Sequence, residues 1–293
     1  PATVEFVDIA GLVKGASEGA GLGNKFISHI REVSVIAHVV RAFEDSNIVR
    51  EGSVGPKEDY ETINTELILA DLQSAQNQGS RIKNNDPQKS LFQKIIAGLD
   101  KGVPVRDIDF TDEQGEQVKS LFFLTKKPEI IVLNVSEEDY TREKIKEVSE
   151  KYTSILGISA QNAVVICAKI EAELASLSEE EQREYLKELG LDLSGLERLI
   201  QKAYEELGLI SFLTAGEKEV RAWTIRLGSN AVEASGEIHT DFMKKFIKAE
   251  VVGFDDFVEF GGWKGSREHG KAMLEGRDYI VRDGDVVEFK IGT

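Results

Sequence analysis

An aspartate and a glycine three positions later, Asp8 and Gly11, are the first residues of this sequence whose spacing suggests chemistry. The apolar residues around them, Val4, Phe6 and Ile9, predict a strand that stops at Gly11. Open α/β sheets bind ligands at the carboxyl ends of their strands. There an aspartate can hold Mg²⁺ through water, and a glycine N–H can donate to a phosphate. The same residues also fit a plain turn at the end of a strand.

The segment that follows favours the phosphate interpretation. Residues 11–23 contain five glycines, so their backbone has unusual conformational freedom. A segment that orders on a phosphate and is released after hydrolysis needs such a backbone. The glycine-rich loop therefore indicates a nucleotide switch more strongly than the D-x-x-G arrangement does.

A second motif, Asn134-Val135-Ser136-Glu137, ends the apolar run Ile130–Leu133. Switch GTPases carry N-K-x-D at this place, and the aspartate accepts the N1–H and N2 amino hydrogens of guanine. Here Val135 replaces the lysine and Glu137 replaces the aspartate. Adenine has no N2 amino group and its N1 is an acceptor, so an adenine site does not require that carboxylate. The motif also fits a helix start with capping acids.

A third motif, Cys167-Ala168-Lys169, ends the apolar run Ala163–Ile166. Switch GTPases carry S-A-K there, as a backbone loop against the base. Each motif alone is weak, but all three follow predicted strands in the right order. Because the carboxyl ends of parallel strands meet at one sheet edge, their order predicts a nucleotide switch.

The elements that must position these motifs divide the chain into three parts. A strand, a helix over Asn24–Glu32 and a buried strand over Val33–Val40 predict a parallel sheet covered on both faces. Residues 48–127 predict a helical insertion, an antiparallel pair with its tip at Gln76–Pro87. The α+β part after Gly208 is predicted to contain a strand at Trp223–Leu227, a helix at His239–Ala249, and strands at Asp278–Val281 and Val286–Lys290 joined by an Asp-Gly turn.

Composition narrows the class of protein. The net charge of −16 argues against a protein built to coat nucleic acid. A local RNA-facing patch stays open, with solvated charges as the alternative. A single cysteine excludes an internal disulfide and favours a reducing, cytoplasmic compartment, and no apolar run predicts a membrane span. The candidate basic residues of the patch are Arg221, Arg226, Lys244, Lys245 and Lys248.

Long segments resemble the Obg-like ATPase (YchF) branch of the Obg superfamily. These are DIAGLVKGASEGAGLGNKF at 8–26, INTELILADL at 63–72, NVSEED at 134–139, FLTAGEKEVRAWTI at 212–225 and GEIHTDFMKKFIKAEV at 236–251. The resemblance implies an α/β P-loop NTPase fold, a parallel G-domain sheet with an inserted α-helical coiled coil, followed by a β-grasp TGS domain. The domains implied are a G domain at 1–47 and 128–208, the insertion at 48–127 and the TGS domain at 209–293.

The resemblance also implies Mg²⁺-dependent hydrolysis of ATP, with GTP bound less well, in a ribosome-associated switch in translation and stress. Asp8 and Gly11 would be catalytic, and Asp8 would hold the metal through water. Leu12 stands where other switches have a glutamine, so hydrolysis would be slow unless a monovalent cation, another group or a partner completes the site. The residues implied to bind nucleotide are Asn134, Val135, Glu137, Cys167, Ala168 and Lys169.

The sequence departs from the family in lacking G-x-x-x-x-G-K-[ST], the phosphate loop, which we expect before Pro1. The chain as written is therefore expected not to hydrolyse nucleotide alone. Two alternatives stay open. One is a non-catalytic module that binds the ribosome, its large subunit or RNA through the TGS domain and the helical arm. The other is a GTPase with an unusual base pocket.

Overall fold

The structure is a computed structural model that describes residues 3–9, 21–43, 55–83, 86, 88–216 and 219–292. It has two compact units, one formed by residues within Phe6–Ala203 and the other mainly by residues within Tyr204–Thr293. Each unit has its own hydrophobic core. The domain boundaries expected from the sequence stay a prediction.

A three-stranded parallel sheet forms the centre of the first unit. Its strands are β1 (Ile36–Arg41), β2 (Glu129–Asn134) and β3 (Ala163–Ile166), in the order β1-β2-β3. The strands predicted around Ile130 and Val164 are confirmed, and β2 is buried along its first five residues. The crossovers between these parallel strands carry the helices, as βαβ connections require.

The buried strand predicted over Val33–Val40 is confirmed in part. β1 begins three residues later and alternates, with His38 and Val40 buried and the side chain of Val39 61% exposed. Among the described residues, the face of β1 with His38 and Val40 packs into the core and the face with Val39 is exposed. The expectation of a sheet covered on both faces therefore holds at β2 and not at β1.

The strand predicted around Asp8 is also wrong for the described residues 3–9, which form neither helix nor strand. A strand needs a neighbour to accept and donate its backbone hydrogen bonds. In the part of the chain that the structure describes, β1 pairs only with β2. Residues 3–9 therefore have no neighbouring strand among the described residues to bond with.

Eight α-helices are described between residues 21 and 206, with short 3-10 turns at Val105–Asp107, Leu124–Lys126, Glu137–Asp139 and Ala160–Asn162. No helix in the described part of the chain is long and apolar enough to cross a membrane. The helices are α1 (Gly21–Glu32), α2 (Pro56–Ser80), α3 (Gln88–Leu99), α4 (Asp112–Lys119), α5 (Arg142–Leu156), α6 (Ala168–Leu174), α7 (Glu179–Glu188) and α8 (Gly195–Glu206).

The helical insertion contains α2, α3 and α4, and α3 packs back against α2. Its tip begins later than the predicted Gln76–Pro87, because α2 continues through Ser80. Close packing explains the extension: a Cβ at Gly79 would lie 3.3 Å from the Cβ of Phe92, and the Lys89 ammonium donates to the Gly79 carbonyl at 2.8 Å. Thr111 is the N-cap residue of α4 and forms a complete capping box with Gln114.

A buried carboxylate joins the insertion to the segment that leads into β2. Asp71 of α2 is 2% exposed and accepts from the Leu124 N–H at 2.8 Å, and from the N–H and hydroxyl of Thr125, both at 2.7 Å. Burial raises the pKa of the Asp71 carboxyl, and the bonds from Thr125 oppose that shift. Removing such an acceptor would leave several buried donors unpaired, so Asp71 ties α2 to the sheet.

The same segment holds the end of α1. The Lys127 ammonium donates to the carbonyls of Ile30 at 2.7 Å and Arg31 at 2.8 Å, and also to that of Val33. The last carbonyls of a helix lack intrahelical partners, so a lysine there completes their hydrogen bonding. The side chains of Ile30, Leu67 and Leu124 pack together beside it. Residues 124–127 therefore connect α1, α2 and β2.

A second buried cluster surrounds the first residue of β2. Glu129 pairs with Nδ1 of His38 at 3.0 Å and with the Arg106 guanidinium. Burial alone would raise the pKa of the Glu129 carboxyl, but the hydrogen bond with His38 and the charge of Arg106 hold it below its ordinary value. His38 is thus a buried partner of Glu129.

The second unit is a five-stranded mixed sheet with helices. The strand order is β5-β4-β8-β6-β7, where β4 and β8 are parallel and the other neighbours are antiparallel. The elements are β4 (Leu209–Ala215), β5 (Val220–Arg226), α9 (Ala231–Ile238), α10 (Thr240–Lys245), β6 (Phe246–Gly253), α11 (Phe254–Glu259), α12 (Trp263–Glu268), β7 (Met273–Glu275) and β8 (Asp285–Ile291).

Two predictions for this unit need correction. The helix expected over His239–Ala249 ends at Lys245, where β6 begins, because β6 pairs along its length with β8. The strand expected over Asp278–Val281 is reduced to one bridge between Asn230 and Ile280. The strands predicted near residues 223 and 286 are confirmed as β5 and β8.

Candidate functional site

The carboxyl ends of β2 and β3 meet at one corner, which we call the β2–β3 corner and define by Asn134, Glu137, Ala168 and Lys169. The side-chain oxygen of Asn134 accepts the backbone N–H of Ala168 at 3.0 Å. At the next residue of the chain, the Val135 N–H donates to the Ile166 carbonyl at 2.8 Å. With its oxygen engaged, the Asn134 amide can offer its two N–H groups to an acceptor outside the sheet.

An ion pair lies beside this amide. The ammonium of Lys169 donates to Oε2 of Glu137 at 2.6 Å. This hydrogen bond raises the pKa of Lys169 above its ordinary value. Glu137 lies on the turn after β2 and Lys169 lies near the start of α6, so the pair links the two predicted motifs. Their side chains are 46% and 65% exposed, so both can reach a ligand.

Two other predicted residues take part only through their backbones. The side chains of Val135 and Cys167 are 2% and 1% exposed and belong to the core of the first unit. Cys167 stands at the N-cap position of α6. Each fixes the path of the chain on either side of the corner, and neither side chain can touch a ligand there.

A buried hydrogen-bond network supports the corner from inside. The Tyr140 hydroxyl, fully buried, donates to Glu171 at 2.9 Å and accepts from Arg198 at 2.9 Å. Glu171 also accepts the N–H groups of Gly195 at 2.8 Å and Leu196 at 3.1 Å, the first residues of α8. Burial raises the pKa of the Tyr140 hydroxyl well above its usual range. The phenol therefore stays protonated and holds α6, α8 and the turn after β2 together.

Sequence reasoning did not single out Tyr140, Glu171 or Arg198. A faint signal exists for the first two: each lies a few residues past a predicted motif. Nothing in the sequence links either of them to Arg198, which lies far along the chain. The pairing of β2 with β3 places Tyr140 beside α6, and Arg198 of α8 reaches the same place, where it also donates to the Val165 carbonyl at 3.0 Å.

Asp8 lies in the described segment 3–9 and its side chain is exposed. The next residue, Ile9, packs against the cluster of Ile30, Leu67 and Leu124. Among the described residues, no hydrogen bond or ion pair joins Asp8 to the β2–β3 corner. The predicted residues Gly11 and Leu12 lie outside the described residues.

The described residues contain no group of three or more His, Cys, Asp and Glu side chains arranged to hold a metal. Magnesium differs from other protein-bound metals in keeping several waters and taking one or two carboxylates together with substrate phosphates. An exposed carboxylate such as that of Asp8 fits this pattern. Asp8 is therefore a candidate to hold Mg²⁺ through water once phosphates are present.

Three of the five basic residues proposed as an RNA-facing patch, Arg221, Arg226 and Lys248, do not converge on the second unit. Strand pairing aligns Ala222 with Val252 through β4 and β8, and β5 and β6 run in the same direction. Arg226 lies four residues after Ala222 on β5, and Lys248 lies four residues before Val252 on β6. The two residues are therefore about 26 Å apart along the strand direction. Arg221 points to the opposite face of the sheet, stacked on Trp223.

The close approach of Gly195 to the buried network gives a stability test. A Cβ at Gly195 would lie 2.6 Å from the Tyr140 hydroxyl and 2.8 Å from Glu171 Oε1. We expect Gly195→Ala to lower the free energy of unfolding by about 1–3 kcal/mol through overpacking. Chemical denaturation measures this change.

Gly115→Ala in α4 is the matched control, because a Cβ there meets nothing within 4 Å. It should raise the free energy of unfolding by about 0.5–1 kcal/mol through helix propensity. Equal effects of the two substitutions would show that the network does not constrain Gly195.

Comparisons with known proteins place this chain in a family. Residues 209–292 match the family model YchF-GTPase_C, described as a protein of unknown function (DUF933). The chain is 46% identical to the "Ribosome-binding ATPase YchF" of Bacillus subtilis (strain 168) over 302 residues, covering 100% of this chain and 82% of that protein.

Two further matches agree. The protein of the same name from Escherichia coli O157:H7 is 43% identical, covering 99% of this chain and 81% of that protein. The solved structure titled "Structure of the Schizosaccharomyces pombe YchF GTPase" matches with a TM-score of 0.82 and 35% identity, over 96% of this chain and 79% of that one. With identities above 40% over nearly its whole length, this chain belongs to the YchF family.

Proposed function

We propose that this protein is a nucleotide hydrolase that binds ATP in preference to GTP and whose nucleotide state controls its association with the ribosome. The observation that carries the proposal is the hydrogen bond between the Asn134 side-chain oxygen and the Ala168 N–H. It engages the oxygen of the Asn134 amide and so leaves the two amide N–H groups as donors, at the edge of the sheet where ligands of α/β folds bind.

Asn134 would bind a purine without choosing between the bases. Adenine and guanine both present N7 as an acceptor, and the Asn134 amide can donate to it. The choice between them depends on the other edge of the base, where guanine presents N1–H and N2 amino donors. Glu137 is one methylene longer than the usual aspartate, and one of its oxygens is bound to Lys169. This arrangement supports a site that does not depend on guanine donors.

The phosphate side of the proposal assigns Mg²⁺ to Asp8 through water. When bound, Mg²⁺ would neutralise charge on the phosphates of the nucleotide. The N–H of Gly11 would donate to the terminal phosphate. Leu12 has no group that orients an attacking water, so slow intrinsic hydrolysis is proposed, to be accelerated by a monovalent cation or a partner.

The ribosome enters the proposal through the relatives. The proteins from Bacillus subtilis and Escherichia coli O157:H7 are both named ribosome-binding ATPases. The Schizosaccharomyces pombe protein is titled a GTPase, so the base preference is the point that most needs a test on this chain. A ribosomal partner would place the protein in the cytoplasm.

A titration of ATP and GTP against the full-length gene product, including any residues its gene encodes before Pro1, tests the base preference. We expect ATP to bind more tightly. Asn134→Ala should weaken both nucleotides by about tenfold, because one hydrogen bond to the base and the Ala168 contact are lost together. Asn162→Ala is the control, since Asn162 is exposed and lies on the turn before β3. Tighter binding of GTP would contradict the proposal.

The competing function is a module that binds the ribosome or RNA without turnover. Cosedimentation with ribosomes in ATP, in a non-hydrolysable ATP analogue and without nucleotide separates the two. A nucleotide switch should bind differently in the three conditions, whereas a simple module would bind equally in all. The scattered positions of Arg221, Arg226 and Lys248 favour the switch, because they do not form one basic face.

A further inference from the structure

The Glu137–Lys169 ion pair occupies the place where the base preference would be decided. We propose that the pair as a unit, rather than Glu137 alone, selects adenine over guanine, and this inference rests on the proposed function. The 2.6 Å contact joins a turn after β2 to the start of α6, thirty-two residues apart in sequence. The neighbouring Asn134–Ala168 bond links the same two elements. The pair therefore stands on the same backbone as the amide that binds the purine.

The pairing is selective within its own surroundings. Glu173 follows Lys169 by four residues on α6, the spacing at which helical side chains form ion pairs. Lys169 nevertheless bonds to Glu137, and Glu173 accepts from the Tyr185 hydroxyl at 3.3 Å. Lys169 thus reaches across to the other motif instead of along its helix.

The pair weakens the acceptor that guanine uses. Guanine presents N1–H and an N2 amino group side by side, and a carboxylate binds both best when it keeps its full negative charge. The Lys169 ammonium is bound to Oε2 of Glu137 and neutralises part of that charge. Guanine would bring its two donors toward a weakened acceptor with a positive charge beside it, which disfavours guanine.

Adenine matches the pair as it stands. Its N6 amino group is a donor and its N1 is an acceptor. Oε1 of Glu137 can accept from N6, and the Lys169 ammonium, which has three N–H donors and uses one for Glu137, can donate to N1. The acceptor Oε1 of Glu137 thus matches the donor N6 of adenine, and the donor Lys169 ammonium matches the acceptor N1.

The test compares three nucleotides on the full-length gene product: ATP, GTP and 1-deaza-ATP, which lacks the N1 acceptor. The wild-type protein should bind 1-deaza-ATP about fivefold to tenfold more weakly than ATP, the effect of one charge-assisted hydrogen bond. Lys169→Met should remove that difference. It should also lower the ratio of ATP to GTP affinity about fivefold or more, because the ammonium no longer neutralises the charge of Glu137 or repels the donors of guanine.

Two variants serve as controls. Lys144→Met removes a lysine of the same surface that donates to the Glu138 carbonyl at 2.6 Å and not to Glu137, and it should leave all three affinities unchanged. Lys169→Arg keeps a donor to Glu137 and should retain part of the preference for ATP. Thermal melting of each variant checks folding, which an exposed side chain should not affect.

The outcomes separate this inference from the proposed function. If the wild-type protein prefers ATP but Lys169→Met keeps the same nucleotide ratio and the same 1-deaza-ATP penalty, the inference is overturned and the proposed function stands. If the wild-type protein binds GTP as tightly as ATP, or binds neither, the proposed function fails and the inference fails with it.

Discussion

The burial of β2 on both faces is the constraint on which the rest of the first unit depends. A shift of β2 by one residue would turn each of its side chains to the opposite face and disrupt the packing of both layers. Register is also fixed laterally, since Arg41 pairs with Asn134 and Asn134 pairs with Ile166. Asn134 consequently ends its strand next to the start of α6, where its amide can bond to Ala168.

Each end of β2 is then held by buried or partly buried polar groups that bond to one another. At its start, Glu129 is enclosed with His38 and Arg106. Beyond its end, the Tyr140 hydroxyl fixes Glu171, which completes the hydrogen bonding of the α8 start. Partly satisfied buried networks destabilise a fold, but these are satisfied and so restrict it to one arrangement. The rigid corner this produces suits a base-binding site, where a displacement of about 1 Å weakens binding.

The segment before β2 connects the corner to distant parts of the unit. Asp71 binds residues 124 and 125 to α2, and Lys127 binds the end of α1. The helix that follows the glycine-rich loop and the long helix of the insertion therefore meet on one short stretch of chain. A displacement of α1 would therefore displace α2 through these bonds, because packed elements move as units.

Much of this arrangement was accessible from the sequence. The apolar runs of β2 and β3 predicted strands correctly because both strands pack in the core of the first unit. Predictions failed where pairing rather than local pattern decides the structure. Residues 3–9 have strand-like composition but no described neighbour, and β6 has apolar spacing that also suits a helix until β8 pairs with it. The Tyr140 network joins residues far apart in sequence, so local patterns could not reveal it.

The most direct test of the account is the behaviour of the Asn134 side-chain amide when nucleotide binds. Its ¹⁵N resonances can be assigned by their loss in Asn134→Ala and followed by NMR during addition of Mg²⁺ and ATP to the full-length gene product. The account predicts a shift of both amide protons and a nuclear Overhauser contact with the adenine H8, which lies next to N7. Saturation with ATP while the Asn134 amide resonances stay unchanged would contradict it, because the base would then bind elsewhere.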